Sequence, residues 1–342
     1  MRDNKNKWVL LTSAAALALG TASLASANTL QNTIERGAVQ CGVSDGLPGF
    51  SAPDDQGEWQ GLDVDVCRAV AAAVFGDAEA VRYISLNAVE RFTALQSGEV
   101  DLLSRNTTWT TTRDTTLGLN FAGVNFYDGI GFMINRDLGV SSAKELDGAA
   151  ICVQSGTTTE LNVADYFRAN DMQFDPIVFD TSEQTVGGYE AGRCDVLTSD
   201  TSQLAALRIQ LSDPDQSVIL PEVISKEPLG PVVRQGDDQW FNIVKWSLFA
   251  MLNAEEMGVT SENVDEMRNS EDPDIARLLG QDGNYGEGMG LDANWAYNII
   301  SQVGNYGESY ERNVGMGSPL QIERGINALW TEGGIQYAPP IR

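Results

Sequence analysis

Apolar residues recur along the chain in two alternating rhythms. Short β-prone runs at residues 38–43, 81–85 and 100–103 are separated by segments whose apolar positions fall at helical spacing. After Gly61-Leu-Asp-Val-Asp, the residues Val66, Ala69, Val70, Ala73 and Val74 share one face. Asn87-Ala-Val-Glu90 reads as a capping box before a helix that carries Phe92 and Leu95 and stops at Gly98. This β-α-β-α-β series predicts a mostly parallel sheet covered by helices. A glycine-punctuated, strand-like stretch follows at 121–134, and the series then restarts. Strands are expected at 150–153, 176–179 and 196–198, and helices at 160–170, with Leu161, Ala164 and Tyr166 among the apolar positions, and near 182–191. Residues 218–233, with Pro221, Pro228 and Pro231, predict a crossing back to the first unit. A helix carrying Trp240, Ile243, Val244, Phe249 and Leu252 spans 238–253, and Trp295, Tyr297, Ile299, Ile300 and Trp330 predict ordered packing of the remainder on a lobe. The pattern as a whole is that of two α/β lobes with a cleft between them.

Polar residues cluster where the strands end, and α/β sheets bind ligands at the carboxyl ends of their strands. The strand at 100–103 runs into Ser104-Arg-Asn-Thr-Thr-Trp-Thr-Thr-Thr-Arg113, rich in hydroxyls and closed by a guanidinium. Thr hydroxyls and free N–H groups donate to oxygen, and the guanidinium adds two parallel donors spaced like a carboxylate. The stretch therefore suits a small anion; a Thr-rich surface turn is the plain alternative. Ser155-Gly156-Thr157-Thr158 precedes a helix, where unpaired N–H groups attract anions, although an isolated Thr157 reads first as an N-cap. Asp200 ends a strand and precedes Thr201, which makes it either a helix cap or an acceptor facing the cleft. Asp63 and Asp65, at the start of a helix, read as dipole and cap stabilisation. The long loop at 44–60 holds Gly, Pro and Asp.

Composition narrows the function. Of 342 residues, 42% are hydrophobic, enough for two domain-sized cores. Residues 1–27 carry Arg2, Lys5 and Lys7, an apolar run and Ala25-Ser26-Ala27, which together read as an export signal. No later stretch reaches the ~20 apolar residues of a membrane helix, so a soluble exported chain is expected. The formal charge is −26, which makes nucleic acid and anionic membranes poor partners. There is no histidine, so the commonest general base and metal ligand are missing; binding is favoured over chemistry, and no metal or cofactor is expected. Four cysteines in an exported protein suggest two disulfides. Three pairings are possible, and the order of elements suggests Cys41 with Cys67 and Cys152 with Cys194.

Read in order, Gly61-Leu-Asp-Val-Asp, Arg91-Phe-Thr-Ala-Leu, Gly98-Glu-Val-Asp, Thr108 with Arg113 five residues on, Gln154-Ser-Gly-Thr and Gly192-Arg-Cys-Asp-Val-Leu with Asp200 resemble the polar amino-acid-binding proteins of bacterial ABC importers. Gly230-Pro-Val-Val-Arg and Val303-Gly-Asn-Tyr-Gly-Glu in the carboxyl-terminal part are similar to the larger, general L-amino-acid-binding subgroup. The resemblance, which spans 28–342, implies the periplasmic binding protein type II fold, with two α/β lobes around a cleft joined by two hinge strands. Residues 28–128 with 230–342 would form one lobe and 129–229 the other. It further implies that Arg113 binds the α-carboxylate of an L-amino acid, helped by Thr108 and by Thr157 or Thr158. Asp200 would accept from the α-ammonium with the Asn106 carbonyl assisting. Arg91 matches a position where acidic-amino-acid-binding relatives contact the ligand; the alternative is that it snorkels or pairs with Glu90 or Asp101. Ala88 stands where the glutamine-specific branch has an aromatic, which leaves room for a broad polar and acidic range, with Phe50 as the aromatic wall.

The expectation is a monomeric periplasmic protein that delivers ligand to an inner-membrane ABC permease. An enzyme on the same scaffold, resembling cyclohexadienyl dehydratase, would need a general acid in the cleft, and Asp200 is the one candidate. A sensory ectodomain would need a membrane helix after the lobes.

Overall fold

The structure, a computed structural model, describes residues 28–342. The export signal read at 1–27 lies outside the described residues. The first unit opens with α1 (Thr29–Arg36) and β1 (Val39–Val43), passes through the hairpin β2 (Ala52–Pro53) and β3 (Trp59–Gln60), and continues with α2 (Leu62–Phe75), β4 (Val81–Ser85), α3 (Arg91–Ser97), β5 (Leu102–Leu103), β6 (Leu119–Phe121) and β7 (Phe126–Asp128). The second comprises β8 (Ile130–Asn135), β9 (Ala149–Gln154), α4 (Thr158–Ala169), β10 (Phe174–Phe179), α5 (Ser182–Glu190), β11 (Val196–Asp200), α6 (Thr201–Arg208) and β12 (Ser217–Ile219). The chain returns through β13 (Glu227–Leu229) and β14 (Val232–Arg234) into α7 (Asp238–Glu256). It ends with α8 (Val264–Met267), α9 (Pro273–Leu278), α10 (Trp295–Val303) and α11 (Tyr306–Asn313).

Two five-stranded sheets result, ordered β4-β1-β5-β14-β6 and β10-β9-β11-β8-β12. In the first, β1 is parallel to β4 and β5, and the returning β14 lies antiparallel between β5 and β6. In the second, β9 is parallel to β10 and β11, and β8 runs antiparallel to β11. The chain crosses between the sheets twice, and β7 and β13 pair antiparallel at the crossing, Tyr127 opposite Pro228. Gly129 is required there. A Cβ on it would come within 2.2 Å of Val223 and 2.7 Å of the Ser225 carbonyl oxygen. Disulfides Cys41–Cys67 and Cys152–Cys194 join β1 to α2 and β9 to the residues before β11. Among the described residues no helix is long and apolar enough to cross a membrane.

Packing corrects several expectations. The first N–H groups of α2 donate to carbonyls of the preceding loop, Leu62 to Gly49 at 2.9 Å and Asp63 to Phe50 at 3.0 Å. Asp63 and Asp65 are therefore not caps; both are buried acceptors for distant donors. Asp65 takes Ser309, Arg312 and Asn313 of the carboxyl-terminal region at 2.5, 2.7 and 2.6 Å. On α4 the inward face belongs to Val163 and Phe167, and Leu161 is 68% exposed. In the carboxyl-terminal region Trp295, Ile299 and Ile300 are buried as α10 packs on α2 and α7, but Trp330 faces solvent.

Candidate functional site

The loop after β5 is held open by side chains recruited from elsewhere. Asn106 adopts a left-handed backbone, φ 35°, and its N–H donates to buried Asp63 at 2.7 Å. Trp109 N–H donates to the Pro228 carbonyl and Gly230 N–H to that of Thr107, which ties the loop to β13. Residues Thr112–Thr116 then form a single π-helical turn in place of a longer helix. That turn brings Arg113 back over its own loop. One guanidinium nitrogen donates to the Thr108 carbonyl at 2.8 Å, and the plane lies 5.1 Å from the centre of the Phe92 ring. Its other nitrogens have no partner among the described residues. Burial pushes the guanidinium down to about 10, with Glu227 and Asp200 opposing the shift.

The second lobe meets this loop directly. Thr108 Oγ1 lies 3.3 Å from Thr158 Oγ1, and Asn106 Nδ2 donates to Gln203 at 3.1 Å, so the lobes are closed on one another. Thr157 is the N-cap of α4, accepting from Glu160 N–H at 3.3 Å. Thr158 donates to Glu227 at 2.9 Å; with its one proton so used, its hydroxyl is an acceptor toward Thr108, and its contribution to an anion is its backbone N–H. Phe92, Thr108, Arg113, Thr157, Thr158 and Glu227 line a cavity of about 710 Å³ between the lobes.

Asp200 occupies the N-cap position of α6 yet makes no capping hydrogen bond. Asp128, on β7, does that work instead, accepting from Thr201 Oγ1 at 2.6 Å and Ser202 N–H at 3.2 Å. The Asp200 carboxylate is left buried without a hydrogen-bonding or ion-pair partner among the described residues. Its pKa is held well above the usual carboxylate range by burial first and then by the charges of Asp128 and Glu227, with Arg113 and Arg91 pulling the other way.

Arg91 is 3% exposed, so it does not snorkel, and its Nε has no partner among the described residues. Asp101 is taken by Arg36, Thr33 and the Gln40 N–H, which removes it as a partner for Arg91. Burial, with the repulsion of Arg105 and Arg113, holds the Arg91 guanidinium well below its ordinary value. Phe50 is not the aromatic wall. Its carbonyl caps α2, which turns the ring into the lobe core at 1% exposure, edge-on to Phe126. The ring beside Arg91 and Arg113 is that of Phe92. Asn106, Asp200 and Arg91 do not line the cavity, although the charges of Asp200 and Arg113 act on Arg91. Sequence reasoning overlooked Glu227, Asp128 and Arg105. Arg105 lay inside the polar stretch, but Glu227 and Asp128 lie in short strands and take their other partners, Thr158 and Asn162 for Glu227 and Thr201 and Ser202 for Asp128, from far along the chain.

A cleft between two α/β lobes, with buried charges of opposite sign contributed from both sides, defines a solute-binding protein. The chain belongs to the bacterial extracellular solute-binding proteins, family 3, whose profile matches residues 39–263. It is 60% identical to the general L-amino acid-binding periplasmic protein AapJ of Rhizobium johnstonii, over 99% of this chain and 100% of that one. Identity to the glutamate/glutamine/aspartate/asparagine-binding protein BztA of Rhodobacter capsulatus is 53%, over 96% and 97%. Among solved structures, an ABC transporter/periplasmic binding protein from Brucella ovis with glutathione bound superposes with a TM-score of 0.91 at 58% identity, over 92% of this chain and 100% of that chain.

Proposed function

We propose that the protein captures L-amino acids, polar and acidic ones foremost, in the periplasm and hands them to an ABC permease, acting as a binding protein and leaving the ligand chemically unchanged. Residues 28–128 with 230–342 and residues 129–229 are taken as the two moving lobes. The observation that carries this reading is the freedom of Asp200. A carboxylate at a helix N-cap ordinarily caps, and here Asp128 takes that role, so the Asp200 charge is available to an ammonium. Arg113, with free guanidinium nitrogens beside Thr108 and the amino end of α4, is the counterpart for a carboxylate. A buried zwitterion requires both partners at once, because each unpaired charge costs several kcal/mol. The ligands named for AapJ and BztA fit this pairing. So does glutathione in the Brucella ovis protein, since its γ-glutamyl end carries an amino-acid head group.

Calorimetry against the common L-amino acids and glutathione, followed by recovery of the ligand, tests the proposal. Several polar and acidic amino acids should compete for one site and be recovered intact. Binding of none of them, or recovery of a converted product, would overturn it. The unpartnered Arg91 adds a finer expectation: Arg91→Ala should weaken glutamate more than glutamine, and equal losses would return Arg91 to a structural role.

A further inference from the structure

The family profile ends at residue 263, and what lies beyond it grips the crossing between the lobes. Tyr127, in the middle of β7, faces Pro228, whose nitrogen has no hydrogen to give. Its own peptide groups point to the outer edge of the ribbon, and Asn327 meets both. Tyr127 N–H donates to Asn327 Oδ1 at 2.7 Å, and Asn327 Nδ2 donates to the Tyr127 carbonyl at 3.0 Å, the pairing a neighbouring strand would make. The two residues before Tyr127 are held as well. Phe126 stacks on Tyr310, ring centres 5.9 Å apart, and the Asn125 carbonyl accepts from Tyr306 Oη at 2.7 Å. Arg324 locks the set, donating to the Asn327 carbonyl, pairing with Glu255 of α7 at 3.0 Å and lying over both tyrosine rings. The grip reaches the ligand loop, because the Asn125 side chain donates to Asp63 at 2.9 Å and Asp63 accepts from Asn106 N–H.

We infer that the carboxyl-terminal extension is a hinge brace: Tyr306, Tyr310 and Asn327 fix the start of the hinge to lobe one, so that lobe two turns on a set pivot, and the brace thereby sets the balance of open and closed forms. Asn327 is a positioning residue, acting through the backbone of Tyr127. The link to affinity rests on the amino-acid-binding reading; the link to the ligand-free hinge does not. A protein whose binding-competent form is less populated binds more weakly by the same factor.

The test compares Asn327→Ala, Asn327→Asp and, as a control in the same extension, Ile275→Val. Asn327→Ala should speed hydrogen exchange of the Tyr127 amide at least tenfold in ligand-free protein and alter its small-angle scattering profile. Glutamate affinity should fall about threefold to tenfold. Asn327→Asp keeps the acceptor for the Tyr127 N–H and loses the donor to its carbonyl, so its effects should be smaller. Ile275→Val should lower the melting temperature and leave Tyr127 exchange and affinity unchanged. The inference is overturned if Asn327→Ala exchanges and binds like the parent, or if Ile275→Val loses affinity in the same proportion to its loss of melting temperature. Should Asn327→Ala not fold, parent-like exchange and affinity in Asn327→Asp overturn it equally. If the parent binds no amino acid, the exchange and scattering measurements on ligand-free protein still decide the brace, and the functional reading fails by itself.

Discussion

At the scale of single residues, the cleft is a problem in buried charge. Arg113→Lys keeps the charge and loses the planar fork, and Asp200→Asn keeps the shape and loses the anion. Each should cost about 2–5 kcal/mol of amino-acid affinity without unfolding the protein. Parent-like titrations for both folded variants would mean that the cleft uses other groups. The raised pKa of Asp200 gives a second test. In the folded protein this carboxyl holds its proton more tightly than in the unfolded chain, so its ionisation costs stability as pH rises through the ordinary aspartate value toward the raised one. An ammonium at the carboxylate removes that cost. The rise in melting temperature on adding glutamine, which has no side-chain carboxyl to titrate, should therefore grow as pH climbs from the ordinary aspartate value in the parent and stay flat in Asp200→Asn. Equal pH dependence in both would remove Asp200 from the ammonium site.

Among the elements, β1, α2, β9 and the residues just before β11 carry the covalent ties. Cys41 and Cys67 have Cα atoms 6.2 Å apart, and Cys152 and Cys194 5.6 Å, each pair within one lobe. Replacing Cys194 by Ser should lower stability by roughly 2–5 kcal/mol and leave the cleft residues in place, so that ligand still binds below the new melting temperature. Loss of binding in a protein that remains folded would show that the bridge also positions α5 or β11 for the site. The glycine between β7 and β8 is an element-scale constraint of another kind. Gly129→Val puts side-chain atoms where Val223 and the Ser225 carbonyl already stand, so the two crossings must separate. Its expected signature is a changed scattering profile in ligand-free protein; an unchanged one would show that the crossing yields at little cost.

For the molecule as a whole, function is the coupling of these contacts to closure. Thr108 with Thr158 and Asn106 with Gln203 exist only when the lobes meet, and Gly156 lies against Ala88 and Val89 across the same gap. A ligand that engages both sides favours the closed form by its difference in affinity for the two forms. Small-angle scattering should show compaction on adding glutamate to the parent and none with Arg113→Lys at the same concentration. Compaction of both to the same degree would separate closure from the guanidinium.

The element order, the two lobes, the cystine pairs and the polar stretch from Ser104 to Arg113 were legible in the sequence, because each follows from local periodicity, turn chemistry or the sequence of elements. Phe50 and Leu161 were misread for one reason. A loop phenylalanine and a helical leucine look alike whether they face core or solvent, and the carbonyl capping of α2 and the docking of α4 decide which. The work of Asp63, Asp65, Asp128 and Glu227 was hidden for the complementary reason. Asp63 and Asp65 stand near a helix start and suit a local cap, while Asp128 and Glu227 lie in short strands with no capping signal, and only the partners brought by the fold, Asn106, Asn313, Ser202 and Thr158, show that these four serve distant elements. The sequence by itself determined which residues could hold a zwitterion. The tertiary structure decided which were free to do so, since a buried charge is available to a ligand only where the fold has supplied no other partner.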